Sequence, residues 1–408
     1  MKSFLIGVAS MLLLLSMLPS CAGNVPTPSL TSDADAIATI VAGTLSAIQS
    51  ATPSPEPTAT STSELSYVLP RSLYYSAKDS NGKYQIYRLD RDGVTITQIT
   101  FEQNDLRSFD ISPTDGTIIY STSDNTTGDN QLIAIDANSA NRRVLVEAPT
   151  SEFFGTPVWS PNGQTLVFSQ GNDLYLYSFS TGKSALLLAG SAAYYFTPEL
   201  FSPDGRKLIV RNHPTPGAPE GAFPEIYDFA SNIIIRISEW EGYPYPPTCL
   251  GNMTWITQDS FFCFYHSDGG MPMPGLLGVN ANDGSIKILM VSKSPFQLVA
   301  APHQDSAGNL IYLYGEHDGV YAQGKPYPTL SLVHSDADGI TNRVMLRPET
   351  FRVRVAFWSP DERAIVILQC DELGRPSELS LVPVDPSMPV VTLLSDASSV
   401  SDTFRWGP

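Results

Sequence analysis

The sequence predicts an all-β chain, folded as a seven-bladed β-propeller of four-stranded antiparallel blades and closed by a blade shared between its two ends. Three observations carry this expectation. The first is a recurring unit, clearest in Pro157-Val-Trp-Ser-Pro-Asn-Gly-Gln-Thr-Leu-Val-Phe168, where an apolar strand, a Pro-Asn-Gly turn and a second strand follow one another. Versions recur at Phe109-Asp-Ile-Ser-Pro-Thr-Asp-Gly116, Leu200-Phe-Ser-Pro-Asp-Gly205, Thr254-Trp-Ile-Thr-Gln-Asp259, His303-Gln-Asp-Ser-Ala-Gly308, Phe357-Trp-Ser-Pro-Asp361 and Phe404-Arg-Trp-Gly-Pro408. Recurrence at a period of about 40 to 50 residues marks a repeat architecture. The second is that two further strand-like runs follow each unit, and four short strands per repeat is a propeller blade. The third lies at the ends: residues 71–100 hold three strands with no leading Trp-Ser-Pro strand, whereas residues 403–408 hold that strand with nothing after it. Joining the two completes one blade, closes the ring and leaves few exposed strand edges. Seven blades is the count, with six and eight as its bounds.

Each element follows from local chemistry. In the second repeat, residues 109–112, 117–122, 131–136 and 142–147 read as four successive strands. Pro-Asn-Gly and Pro-Asp-Gly join adjacent strands because Pro presets one torsion and Gly accepts a positive φ. The aromatic ahead of each turn, Trp159, Phe201, Trp358 or Trp406, is expected to fill the wedge between neighbouring blades. The pairs Asp90-Arg-Asp92-Gly93 and Asp336-Ala-Asp338-Gly339 begin like a calcium loop but lack its later ligands and closing Glu, so they read as turn chemistry.

Trp159-Ser-Pro-Asn-Gly163, Phe201-Ser-Pro-Asp-Gly205 and Trp358-Ser-Pro-Asp361, with Leu89-Asp-Arg-Asp-Gly93, resemble the TolB-type, WD-related propeller repeat over residues 71–408. The resemblance implies the fold and leaves function open, because such repeats occur in binding scaffolds, peptidase accessory domains and polysaccharide lyases. Blades 5 and 6 depart from the pattern, having lost the Ser-Pro.

Ahead of the propeller the chain changes character twice. Residues 1–21 carry one cation, Lys2, an apolar run over residues 4–17, and Leu18-Pro19-Ser20-Cys21. That is the shape of an export signal, with too short a run to span a membrane. It resembles a bacterial lipoprotein precursor, which implies cleavage before Cys21 and lipidation of that residue, with Pro19 uncommon at its place. Residues 22–70 are rich in Thr, Ser, Pro and Ala, a composition that reads as a tether. A short helix over residues 32–49 would align Ile37, Ile40, Val41, Leu45 and Ile48, and the Pro-rich residues 52–63 would run extended at roughly 3.1 Å per residue.

Composition excludes one class of partner. Lys+Arg number 24 and Asp+Glu 41, and losing Lys2 with the leader gives 23 − 41 = −18, a charge that repels nucleic acid and anionic headgroups. Besides Cys21 there are Cys249, Cys263 and Cys370; a Cys249–Cys263 bridge and three buried thiols both remain open.

A site should break the ring's symmetry. In antiparallel blades the links from second to third strand and from one blade to the next emerge on one face, and there residues 213–224, 266–275, 316–328 and 370–377 form long loops. Binding candidates on this face are Trp240, Tyr243 and Tyr245, followed by Tyr194 and Tyr195; these two tyrosines, with Phe153, Phe154 and Phe196, read more as padding between blades. His213, His266 and His317 fall just past the second strand of three consecutive blades, where inward-bending loops would let them hold a divalent transition metal. The resemblance to propeller lyases with a histidine-bound metal points the same way. His303, in the first strand of blade 6, reads as a structural histidine. The chain carries no Gly-x-Ser-x-Gly, His-Glu-x-x-His, P-loop or Gly-x-Gly-x-x-Gly motif, and it ends at the propeller, with no residues left over for a hydrolase domain. The leading expectation is therefore an exported, extracytoplasmic, lipid-anchored scaffold without catalysis or cofactor, binding a protein or peptide. A glycan-binding propeller and a metal-dependent polysaccharide lyase are the alternatives.

Overall fold

The computed structural model describes residues 68–214, 222–239, 249, 253–264, 274–291, 296–317 and 327–408. Among them are seven four-stranded antiparallel sheets arranged as the blades of a propeller. The innermost strands, from blade 1 to blade 7, are Val400–Trp406, Ser108–Ile111, Val158–Trp159, Tyr194–Phe201, Met253–Thr257, Phe296–Gln304 and Val353–Trp358. Blade 1 is the shared one: Val400–Trp406 pairs with Leu73–Lys78, placing Phe404 opposite Tyr75 and Trp406 opposite Leu73. Gly407 N–H then reaches the Ser72 carbonyl at 2.9 Å.

The recurring Ser-Pro turn is built on its serine. Ser160, Ser202 and Ser359 are buried, and each hydroxyl accepts the backbone N–H five residues on, from Thr165, Lys207 and Ala364, at 3.0, 2.9 and 3.0 Å. The same hydroxyl donates to the Asx two residues ahead, Asn162, Asp204 or Asp361, at 2.7, 2.7 and 2.6 Å. The hydroxyl thus satisfies a buried backbone donor inside the turn. Gly163 supplies the left-handed step at φ 66°. Blades 5 and 6, which lost this motif, fold as complete blades because their second strands, Ser260–Phe264 and Leu310–His317, keep the alternation that buries Phe262, Leu310 and Tyr312 in one seam.

The core is distributed over seven clusters, one at each seam between blades. The repeat aromatics lie in these seams as expected, Trp159 against Ile119 and Leu132 of blade 2 and Phe201 against Val167 of blade 3. Two of them also bridge seams by hydrogen bonding: Trp358 Nε1 donates to the Ala301 carbonyl and Trp406 Nε1 to the Trp358 carbonyl, both at 2.8 Å. Asp92 and Asp338 serve turns, each accepting two backbone N–H groups and a Thr hydroxyl. Cys249 and Cys263 are joined in a disulfide, and Cys370 is a buried free thiol.

Both ends of the described chain lie at the turn-bearing end of the blades. Leu69 N–H bonds the Arg91 carbonyl in the turn between the third and fourth strands of blade 1, at 3.0 Å. Pro408 sits beside Gly116 in the first turn of blade 2.

Candidate functional site

The opposite end of the strands carries the links between blades, and there the structure separates the predicted aromatics. Phe154 and Phe196 are buried padding, in the seams of blades 2/3 and 3/4. Phe153 and Tyr194 project instead, 58% and 36% exposed, so both depart from the padding role favoured for them. Alternation explains the Phe153/Phe154 split, because successive residues in extended chain face opposite ways. Tyr194 instead shares a face with Phe196, their rings 5.4 Å apart, and is exposed as the first residue of its strand. A third projecting aromatic, Phe101, 71% exposed, lies in the link from blade 1 to blade 2 and was not anticipated. Tyr195 is half-buried and stacks on the His213 ring at 4.5 Å. Trp240, Tyr243 and Tyr245 lie outside the described residues.

These links are held by hydrogen bonds from side-chain amides, those of Gln85 and Asn130 buried and that of Asn172 exposed. Gln85 Nε2 donates to the Glu102 carbonyl at 2.8 Å, and Gln85 Oε1 accepts Glu102 N–H at 2.9 Å. Asn130 Nδ2 donates to the Glu152 carbonyl at 3.0 Å, and Asn172 Nδ2 to the Ser191 carbonyl at 2.8 Å. The Arg107 guanidinium lies over the Phe153 ring, 4.7 Å from its centre, a cation–π contact. Phe101, Phe153 and Tyr194 are thus presented on ordered backbone.

The histidine triplet meets a different outcome. The second strands of blades 4 and 6 run further than expected, to Pro214 and His317, so His213 is a strand residue rather than a loop residue. Cross-strand pairing continues through it, opposite Tyr195. Its Nε2 lies 2.8 Å from Thr197 Oγ1, and burial, reinforced by the Arg211 charge, lowers its pKa below the usual imidazole value. His266 and the His317 side chain lie outside the described residues. Among the described residues no three His, Cys, Asp or Glu groups are arranged to hold a metal ion. His303 packs against Trp358 across the seam to blade 7, its ring centre 4.6 Å away, and its Nε2 is 3.5 Å from Glu362.

At the centre of the ring is a cavity of about 520 Å³, walled by all seven innermost strands. One position of the repeat, directly before the seam aromatic, supplies Val158, Leu200 and Phe357 but also Asp110 and Arg405. The last two meet across the seam from blade 1 to blade 2, with Arg405 Nε donating to Asp110 Oδ1 at 2.7 Å. Asp110 Oδ2 accepts Trp159 N–H at 2.8 Å, which extends the link into blade 3. Asp402 is held by Arg354 of blade 7 through two bonds of 2.5 and 2.7 Å, and Glu199 by Arg211 at 2.8 Å. Among the described residues every carboxylate of the cavity wall is therefore ion-paired, which leaves this part of the channel nearly neutral inside an acidic protein.

No protein-family model matches the chain, and no curated protein matches it. Solved structures do. An oligogalacturonate lyase in complex with manganese is 11% identical, over 76% of this chain and 81% of the other, with a TM-score of 0.51. The oligogalacturonate lyase of Vibrio parahaemolyticus is 10% identical over 79% and 84%, with a TM-score of 0.50. TolB from Acinetobacter baumannii is 13% identical over 83% of each chain, with a TM-score of 0.41. The likeness is one of fold. Fold alone does not fix activity, so function has to be argued from this chain's own residues.

Proposed function

We propose that this protein is an exported, lipid-anchored β-propeller that binds a protein or peptide partner on the face formed by its interblade links. The observation that carries the reading is that the exposed aromatic side chains among the described residues all lie on that one face, Phe101 and Phe153 in links between blades and Tyr194 at the first residue of the strand that follows one. Aromatics in a soluble ring are normally spent on its seams, and exposed ones held on ordered backbone bind at low entropic cost. The chain's entry supports the same reading. Residue 68 leaves the propeller at the turn-bearing end, so a tether anchored through Cys21 would hold the ring by that end and present the aromatic face away from the membrane. The ion-paired channel favours binding over catalysis, since its carboxylates are already committed to arginines.

The test is recovery of the full-length protein from its native membranes after mild crosslinking, beside a Phe101→Ala/Phe153→Ala/Tyr194→Ala variant. A stoichiometric partner is expected with the wild type, reduced at least about 30-fold in the variant if the aromatics act together as a hot spot of about 2 kcal/mol or more. Equal recovery from both would refute the assignment of this face. A Cys21→Ser protein is expected in the soluble extracytoplasmic fraction, and continued membrane retention would refute the anchor.

A further inference from the structure

We infer that the surface around Phe153 and Tyr194 takes a cationic segment of the partner with apolar flanks, an inference that rests on the proposed binding face and names its occupant. The two aromatics bracket one turn of blade 3. Gly171 N–H bonds the Phe153 carbonyl at 3.0 Å, and Phe196 N–H bonds the Asn172 carbonyl at 3.2 Å, so residues 171 and 172 tie the Phe153 and Tyr194 links into one surface.

The charge around this surface is one-sided. The links and loops of blades 2 and 3 on this face, residues 123–130, 147–157, 170–173 and 189–195, carry five carboxylates, Asp124, Asp129, Glu147, Glu152 and Asp173, and no Lys or Arg. Arg107 and Arg142 are neighbouring cations, and both are committed, Arg107 lying over Phe153 and donating to Asn130 Oδ1 at 2.9 Å, and Arg142, within electrostatic reach of Asp124, pairing with Glu102 at 2.8 Å. The carboxylates are oriented by neutral donors: Gln131 on Glu147, Gln170 on Glu152, Gly190 N–H on Asp173, and Thr126 and Thr127 N–H on Asp124. Such bonds position a carboxylate and leave its charge in place. At blade 7 and its seam to blade 1 the signs balance. Arg352, Arg354 and Arg375 of blade 7 stand against Glu372 and Asp371 of the same blade and Asp402 of blade 1, each in an ion pair. An apolar surface ringed by one sign selects a partner of the opposite sign that also offers apolar side chains.

The probe is a fluorescent peptide of Lys and Leu on a Gly/Ser background, with a counterpart carrying Glu at every Lys, each titrated against the full chain bearing Cys21→Ser. Anisotropy is expected to show saturable binding of the Lys peptide and none of the Glu peptide. Binding should weaken at least about 30-fold in Phe153→Ala/Tyr194→Ala, as expected of hot-spot residues, and several-fold in Glu152→Gln/Asp173→Asn. Raising the salt concentration should weaken the wild type more than the charge variant. Equal binding of both peptides, or Lys-peptide binding untouched by loss of the aromatics, would overturn the inference. A membrane partner captured through the aromatics but carrying no cationic segment would overturn it too, while leaving the binding face standing.

Discussion

Replacing Arg405 with Met tests whether charge as well as packing holds the ring closed. Arg405 belongs to the C-terminal strand of the shared blade and Asp110 to the next blade, 295 residues away in sequence. The Asp110 side chain is 13% exposed and that of Arg405 34%. Breaking a buried pair by removing one partner costs about 3–5 kcal/mol. Here Arg405 is a third exposed, water can reach the vacated space, and Asp110 keeps its bond from Trp159 N–H, so the expected cost falls to about 2 kcal/mol. With an unfolding entropy of about 2.1 cal/mol/K per residue over roughly 340 residues, that lowers the melting midpoint by about 3 °C. Asp110→Asn should cost a similar amount, since one amide group cannot accept from both Arg405 and Trp159. In the double variant the Asn oxygen is free to face Trp159 N–H, so the cycle should return a coupling of about 1.5 kcal/mol. Arg354→Met is the internal control. Its pair with Asp402 is bidentate but 37% and 49% exposed, and such a pair is worth less than about 1 kcal/mol. Denaturant titration with near-ultraviolet circular dichroism reads all five proteins. An Arg405–Asp110 coupling within about 0.5 kcal/mol of zero, or an Arg354 variant hurt more than the Arg405 variant, would refute the reasoning.

Two further outcomes follow from the interior. The Cys249–Cys263 bridge spans 14 residues, and loop-closure entropy for that length gives about 3 kcal/mol, so Cys249→Ser/Cys263→Ser should lose that much in urea titration and wild type in reductant should match it; no loss would mean that the bridge adds nothing. Glu225 is buried, and desolvation raises its pKa above 4.5 against the opposing pulls of Arg236 and Asn212. The folded state therefore binds this proton more tightly than the unfolded one, so the contribution of Glu225 is fully present below pH 4.5 and is lost as pH rises through the folded value. Glu225→Gln should accordingly melt higher than wild type at pH 7, with the advantage shrinking towards pH 4; a deficit independent of pH would refute this.

The propeller was legible because its signal is repeated. Trp159, Phe201 and Trp358 each specify a seam and Gly163 and Gly205 each specify a turn, so errors in one copy are corrected by the others. The serine of the motif was equally visible as a repeated residue, but its buried hydroxyl, shared between a backbone donor and an Asx acceptor, emerges only from the turn's geometry. What lacks repetition was harder to read. Phe153 and Phe154 are identical in sequence, and only the phase of the link decides which of them faces the seam. Asp110 and Arg405 stand at a repeat position filled by Val158, Leu200 and Phe357 in other blades, a departure visible in the sequence. Their pairing was not visible, because it exists only once the shared blade brings the chain ends together. The loop placement of His213 differs from the structure for a local reason: the second strand continues through Asn212 and His213 opposite Phe196 and Tyr195.

Where the ring is split between the two ends also decides which face is available. In a four-stranded blade the first and third turns lie at one end of the strands, whereas the middle turn and the link to the next blade lie at the other. Blade 1 takes one strand from the C-terminus and three from the N-terminus, so the break replaces its first turn and both termini emerge at the short-turn end, as the contacts of Leu69 with Arg91 and of Pro408 with Gly116 require. A two-plus-two split would have replaced the middle turn and brought both termini out among Phe101, Phe153 and Tyr194. The one-plus-three closure therefore stabilises the ring and would also keep the proposed tether off the aromatic face. A circular permutant opened at the middle turn of blade 1, between Lys78 and Tyr84, with the native ends joined, should fold with the same seams and lose partner capture when anchored. Full capture by that anchored permutant would show that the direction of tethering plays no part in binding.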